Sequence, residues 1–169
     1  RTRVAFDQVW LKTDFARRVF ITAGQQRVKW GASRIWNPTD FLNRERRDPL
    51  AVFDERLGVN LVKVHMPWEA RGWNLYAVGS FDDAQSPRDI GGAVRSEVLI
   101  GTTETSLSAA WRNNQPQRFG VDMSTALGIV DMRIEAAMLH DLETPFYEGP
   151  VDFASNTFPT TYSRQDDWI

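Results

Sequence analysis

The chain has 169 residues, 42% of them hydrophobic and 25% charged, with a formal net charge of −2. Those values suit one folded domain with a core and exclude a disordered segment or a coiled coil. Charges of both signs are intermixed without a basic block, which argues against a nucleic-acid partner, and the absence of cysteine removes disulfides, cysteine-ligated zinc and thiol chemistry.

The N-terminal "RTRVAFDQVW" has no initiator Met and no signal-like apolar region, so a partial chain is expected. No stretch approaches the roughly 20 apolar residues of a membrane helix. Seven Trp, ten Phe and three Tyr are many aromatics for a chain of negative mean hydropathy, so their positions should carry meaning.

Period-2 alternation dominates from the start. It predicts strands at Val4 to Leu11, Arg18 to Trp30, Gly58 to Trp68, Trp73 to Phe81, Gly92 to Ile100, Glu104 to Arg112, Arg118 to Leu127 and Ile129 to Leu139. Most are close to the roughly 9 to 11 residues of a tilted membrane strand. Residues 129–142 also place Val130, Ile134, Ala137 and Met138 on one side of a helix, so a helical eighth element stays open.

The connections alternate in length: "KTDFA" is short, 31–57 long, "EARG" short, "DDAQSPRDIG" longer, "GTT" short, "NNQPQ" intermediate, and the link at Leu127 and Gly128 tight. A long segment, 141–169, follows; it contains three Pro and reads as a loop. In an antiparallel up-and-down meander this rhythm puts every short turn at one rim, the asymmetry of outer-membrane barrels.

One face of the fourth strand reads Trp73, Leu75, Ala77, Gly79, Phe81, and the matching side of the third reads Val62, Val64, Met66, Trp68. Thr105, Leu107, Ala109 and Trp111 face the same way as Phe119, Val121, Met123, Thr125 and Leu127. Aromatics thus sit at both ends of an aliphatic band, with Trp68, Trp73, Phe81, Trp111 and Phe119 as a candidate membrane girdle. The opposite faces carry Lys63, His65, Arg95, Glu97, Asp122, Ser124, Asp131, Arg133 and Glu135, expected to line a wet lumen.

A soluble sandwich or lipocalin-like barrel alternates in the same way with its charged face outward, binding a ligand within or across the sheet. Two features favour lipid. Small apolar faces such as Leu75, Ala77, Gly79 make a poor packed core, and the aromatics lie at strand ends.

At residues 21–67 the sequence resembles porin-like outer-membrane β-barrel proteins of Gram-negative bacteria. The resemblance is carried by a G-x-Q strand running into W-G, then N-P-x-D, then D-P and a charged stretch: Gly24, Gln26, Trp30, Gly31, Asn37, Pro38, Asp40, Asp48, Pro49, Asp54, Glu55 and Arg56. It covers about a quarter of the chain. What it implies is an outer-membrane barrel that passes or exports a small or polymeric solute.

The same stretch has its own logic. Asn37-Pro38 and Asp48-Pro49 oppose helix, and Arg44, Arg46 and Arg47 stand among Asp40, Glu45, Asp48, Asp54 and Glu55. Loop 31–57 is therefore expected either to narrow the barrel mouth through Arg34, Asn37, Asp40, Arg44, Arg46, Arg47, Asp54 and Arg56, or to pack on the external rim.

Phosphate-loop, dinucleotide, zinc-protease and hydrolase signatures are absent, and His65 and His140 alone offer little for a metal. A triad of Ser124, His140 and Asp141 is conceivable, but nothing in its spacing favours it. Asp131, Arg133 and Glu135 recur at period 2, as a lumen-lining ladder, a solvated face paired with Asp122 and Ser124, or an ion-binding row.

The reading is thus an all-β chain, residues 1–169 forming one segment of a transmembrane β-barrel: an antiparallel meander of about eight strands. It is expected in the bacterial outer membrane as a non-enzymatic conduit needing no cofactor. Its partners would be the lipid bilayer, a solute and the remaining strands of a larger barrel, with oligomerisation open.

Overall fold

The computed structural model describes residues 6–33, 36–43, 56–82, 84–140, 145–151 and 158–164. Eight strands succeed one another in a single antiparallel sheet: β1 (Val9–Phe15), β2 (Val19–Gln26), β3 (Val59–Trp68), β4 (Trp73–Ser80), β5 (Gly91–Ile100), β6 (Thr103–Trp111), β7 (Gln117–Leu127) and β8 (Val130–His140). Each pairs with its neighbour in sequence, and β1 and β8 do not pair with each other, so the sheet is open. A separate hairpin joins β9 (Pro145–Glu148) to β10 (Thr161–Arg164).

The eight-stranded all-β meander is the fold that the alternation predicts, and β3 to β8 begin and end close to the expected positions. Residues 130–140 form a strand rather than a helix, because every residue of β8 has a ladder partner on β7. Short connections at 16–18, 69–72, 101–102 and 128–129 share one rim, while 27–58, 81–90 and 112–116 share the other.

Three expectations need correction. The first strand lies later than Val4 to Leu11: Lys12 to Phe15 belong to β1 and pair with β2. The turn follows at Ala16 and Arg17, both with positive φ (52° and 53°), closed by Arg18 N donating to Phe15 O at 3.0 Å. Asp14 Oδ2 accepts from Arg17 N at 3.1 Å and helps hold this turn without Gly or Asn.

The second strand stops at Gln26 instead of Trp30, because Val28 and Trp30 leave the ladder and are buried elsewhere. The tail, expected to be loop throughout, contains the hairpin of β9 and β10, whose strands are too short to show a period.

Register assigns each side chain to one of two faces. One, here the inner face, carries Lys12, Thr22, Leu61, Lys63, His65, Tyr76, Val78, Ala93, Arg95, Glu97, Ser106, Ser108, Asp122 and Glu135. The other, outer face carries Leu11, Val64, Leu75, Val94, Leu107, Val121 and Ile134.

The core lies on the inner side, near the rim of long connections. Val28, Trp30 and Leu42 of the 27–58 connection pack on Val59 and Leu61 of β3, Val78 of β4 and Ala93 of β5. Tyr76 and Ala110 border this cluster. Each large aliphatic buried here contributes roughly 1.5–3 kcal/mol, enough to hold a connection that lacks regular structure.

Candidate functional site

The connection after β2 crosses the inner face instead of leaving it open. Its path starts at Gly31, whose φ of 91° suits glycine and where an added Cβ would lie 2.0 Å from Asn37 Oδ1 and 2.5 Å from Thr39 Oγ1. That close approach lets Asn37 Nδ2 donate to the Trp30 carbonyl and fold the Asn-Pro turn back on the W-G pair. The resemblance-bearing residues Trp30, Gly31, Asn37 and Asp40 therefore build one local knot.

Asp40 is the hub of that knot. Its carboxylate accepts from Asn43 Nδ2 at 2.7 Å and from Arg56 Nη1 at 3.0 Å, and Asn43 Nδ2 also lies 2.6 Å from the Val28 carbonyl. Burial pushes the Asp40 carboxyl above its usual value, opposed by the Arg56 and Asn43 hydrogen bonds, the Arg56 charge and the Trp30 backbone.

The knot is latched to the far side of the sheet. Glu135 of β8 accepts from Ser33 N, and its Oε2 lies 3.1 Å from the hydroxyl of Thr39, which is 0% exposed and shares its proton with Asn37 Oδ1 at 3.2 Å. Arg118 of β7 donates to the Phe41 carbonyl at 3.4 Å. Gly120 of β7 leaves room for this approach, since a Cβ there would meet Thr39 Cγ2 at 2.9 Å.

Beside the latch, at the centre of the inner face, sits an ionic network. Arg95 grips Asp122 in two-pronged fashion (Nη1 to Oδ2 at 2.6 Å, Nη2 to Oδ1 at 2.9 Å) and reaches Ser106 Oγ at 2.8 Å and Glu97 Oε1 at 2.9 Å. Arg95 is 4% exposed and Asp122 3%. A carboxylate, a hydroxyl and a second carboxylate together meet the fork geometry of the guanidinium, which is how a charge is held away from water.

Towards the short-turn rim the inner face carries stacked rings. His65 lies on Tyr76 with centroids 4.4 Å apart and bonds Asn74 Oδ1 through Nε2 at 2.9 Å; Phe20 lies 6.0 Å from His65, with Lys12 Nζ 5.2 Å above the Phe20 ring. Lys63 is half-buried in the next rung.

Each expected site residue can now be located. All nine of the charged-face set lie on the inner face: Arg95 and Asp122 are buried, Lys63, His65, Glu97, Ser124 and Glu135 half-buried, and Asp131 and Arg133 exposed. Of the loop set, Asn37, Asp40 and Arg56 share the knot, while Arg34, Arg44, Arg46, Arg47 and Asp54 lie outside the described residues. Trp68, Trp73, Phe81, Trp111 and Phe119 are all exposed at strand ends, and Arg71 caps the Trp73 ring at 5.3 Å.

Sequence reasoning missed Val28, Trp30, Thr39 and Leu42 as the residues that seat the loop. A polar lumen alone was expected where β3, β4 and β5 present Leu61, Val78 and Ala93 to them. The signal was present: the apolar residues Val59, Leu61 and Val78 fall on the charged side of the alternation.

The triad is not assembled. Ser124 lies opposite Arg133, whereas His140 is at the other end of β8, roughly 24 Å along a strand at about 3.4 Å per residue, and Asp141 lies outside the described residues. Among the described residues no cluster of three His, Cys, Asp or Glu could hold a metal ion.

The outer face is the reverse of the inner one. Ile134 is 51% exposed and Val121 41%, Leu11, Val94, Leu107 and Met138 are also open, and Leu75 and Met123 are half-exposed. No protein-family model, curated protein or solved structure matches the chain.

Proposed function

We propose that this chain is part of a porin-like β-barrel of the Gram-negative outer membrane, which lets a small or polymeric solute pass along its polar face without chemical change. One observation carries the reading: the strands cover the centre of their charged face with a loop and leave much of the apolar face open. In water that arrangement leaves an extended apolar surface unsatisfied, whereas against lipid it is the favourable one. The exposed aromatics at both strand ends fit the two interfaces of a bilayer.

Open edges at β1 and β8 extend the proposal. Unpaired strand edges are not tolerated in hydrocarbon, so closure requires further strands of a larger barrel or a second copy. The 27–58 connection, seated on the inner face, then narrows the passage, with Asn37, Asp40 and Arg56 holding it in place. The ring and charge lining of the inner face is the solute path; no cofactor or catalytic group is invoked.

The test is refolding from urea into vesicles that contain brominated lipid. Quenching of Trp68, Trp73 and Trp111 fluorescence is expected; a monomer that stays soluble without detergent and ignores the vesicles would overturn the reading in favour of a soluble ligand-binding β-protein. In planar bilayers, deletion of residues 36–52 should raise single-channel conductance, and unchanged conductance would remove the constriction.

A further inference from the structure

Two arginines of the sheet stand apart from the ion pairs above. Arg118 of β7 and Arg112, just beyond β6, border a cavity of about 210 Å³ between the connection residues Phe41 to Asn43 and the long-connection ends of β4 to β7. Across the β6–β7 ladder Arg118 is opposite Ala110, two positions before Arg112, so the two arginines are diagonal neighbours, on the order of 7 Å apart by sheet geometry.

Arg27, Arg56 and Arg95 each have a carboxylate at 3.0 Å or closer. Arg112 and Arg118 do not form such a pair with any described residue: Arg112 Nη2 donates to Ser80 Oγ at 3.0 Å and Arg118 Nη1 to the Phe41 carbonyl at 3.4 Å, both neutral oxygens. Asp82 also borders the cavity, but its Oδ1 is turned to Asn60 N and Nδ2 at 3.5 and 3.4 Å. Asp89, whose charge reaches Arg112, is held by Ser86 N and Oγ, each at 2.9 Å.

A guanidinium offers five donors in a planar fork, so two of them on one wall leave several donors directed at whatever enters. We infer that this cavity is an anion subsite that takes the carboxylate of a small organic acid at the mouth of the polar face. Its volume lies below the roughly 300–1,000 Å³ of pockets for drug-sized ligands, which limits the occupant to a small molecule. The inference rests on the pore reading only for where the anion goes next.

The full chain folded in detergent micelles is titrated calorimetrically with succinate, neutral succinamide and inorganic phosphate. Saturable succinate binding is expected, with none for succinamide. Arg112→Gln and Arg118→Gln should each weaken it about tenfold or more, the loss of charge-assisted hydrogen bonds, and Arg71→Gln at the other rim should leave it unchanged. Should a Gln variant misfold, Arg112→Lys keeps the charge while losing the fork, and a several-fold loss there supports the subsite equally.

Absence of saturation in the unaltered chain, or an equal loss in Arg71→Gln, would overturn the proposal, and tighter binding of phosphate would overturn the carboxylate assignment. Binding without bilayer conductance defeats the pore reading and keeps the subsite; conductance without binding does the reverse.

Discussion

The two faces of this sheet come from the same strands, yet they follow opposite rules. On the inner face Arg95 and Asp122 are buried and bonded to each other. On the outer face Ile134 and Val121, the immediate chain neighbours of Glu135 and Asp122, are open. At the centre of the sheet the face a residue occupies, rather than its hydropathy, decides whether it is covered, and the covering agent on the inner side is a connection, not a second sheet.

The largest expected effect tests the inner side of this contrast. Asp122→Ala leaves the Arg95 guanidinium buried without its main partner and should cost about 3–5 kcal/mol, read as a shifted urea midpoint in detergent. The double change Arg95→Met with Asp122→Leu should recover most of that loss. A cost below about 1 kcal/mol for the single change would mean that the pair behaves as a surface ion pair.

The outer side is tested by Ile134→Arg. In lipid vesicles the change should cost about 2–4 kcal/mol if the position lies near the bilayer midplane, and close to nothing if that face meets water. Comparing folding yield and urea stability in vesicles against those in aqueous buffer separates the two cases.

The connection that covers the inner face responds to pH through Asp40. Its carboxyl is raised by burial, so in acid, below its unfolded value of 3.8, the penalty for burying a charge is absent. As pH rises from there through the raised value the penalty sets in and the knot loses stability. Hydrogen exchange at residues 36–43, corrected for intrinsic rates, should therefore show protection falling as pH rises through this window. Asp40→Asn should flatten that dependence.

The smallest effect lies at the β1–β2 turn. Ala16 and Arg17 hold positive φ without being glycine, which costs roughly 1–2 kcal/mol per residue, so Ala16→Asn with Arg17→Gly should raise stability by about 1 kcal/mol. No gain in thermal midpoint would show the strain to be relieved locally.

That turn also explains how much of the molecule was legible. β3 to β8 could be read from alternation because one face is mostly apolar and their short turns carry Gly72, Gly101 and Gly128. β1 was misplaced because its turn is "ARR", which has no turn-forming residue to mark it. The two-face division was legible too, down to each of the nine inner residues. The loop's seat was not, because Thr39 and Glu135 meet through three dimensions, and nothing local to either residue announces the other. The arginine pair escaped notice for a different reason: Arg112 and Arg118 flank a connection and look like ordinary rim charges until Phe41, Leu42 and Asn43 close a cavity beside them.

The latch to Glu135 has a consequence for assembly. Each strand pairs with the one just made, so the meander grows by short steps, but Thr39 and Ser33 contact a residue 96 and 102 positions away. Closing so long an arc is the slowest contact to form, and its receptor on β8 exists only when the sheet is complete. The inner face is therefore formed uncovered and capped last, so it stays open to water while its charges find one another.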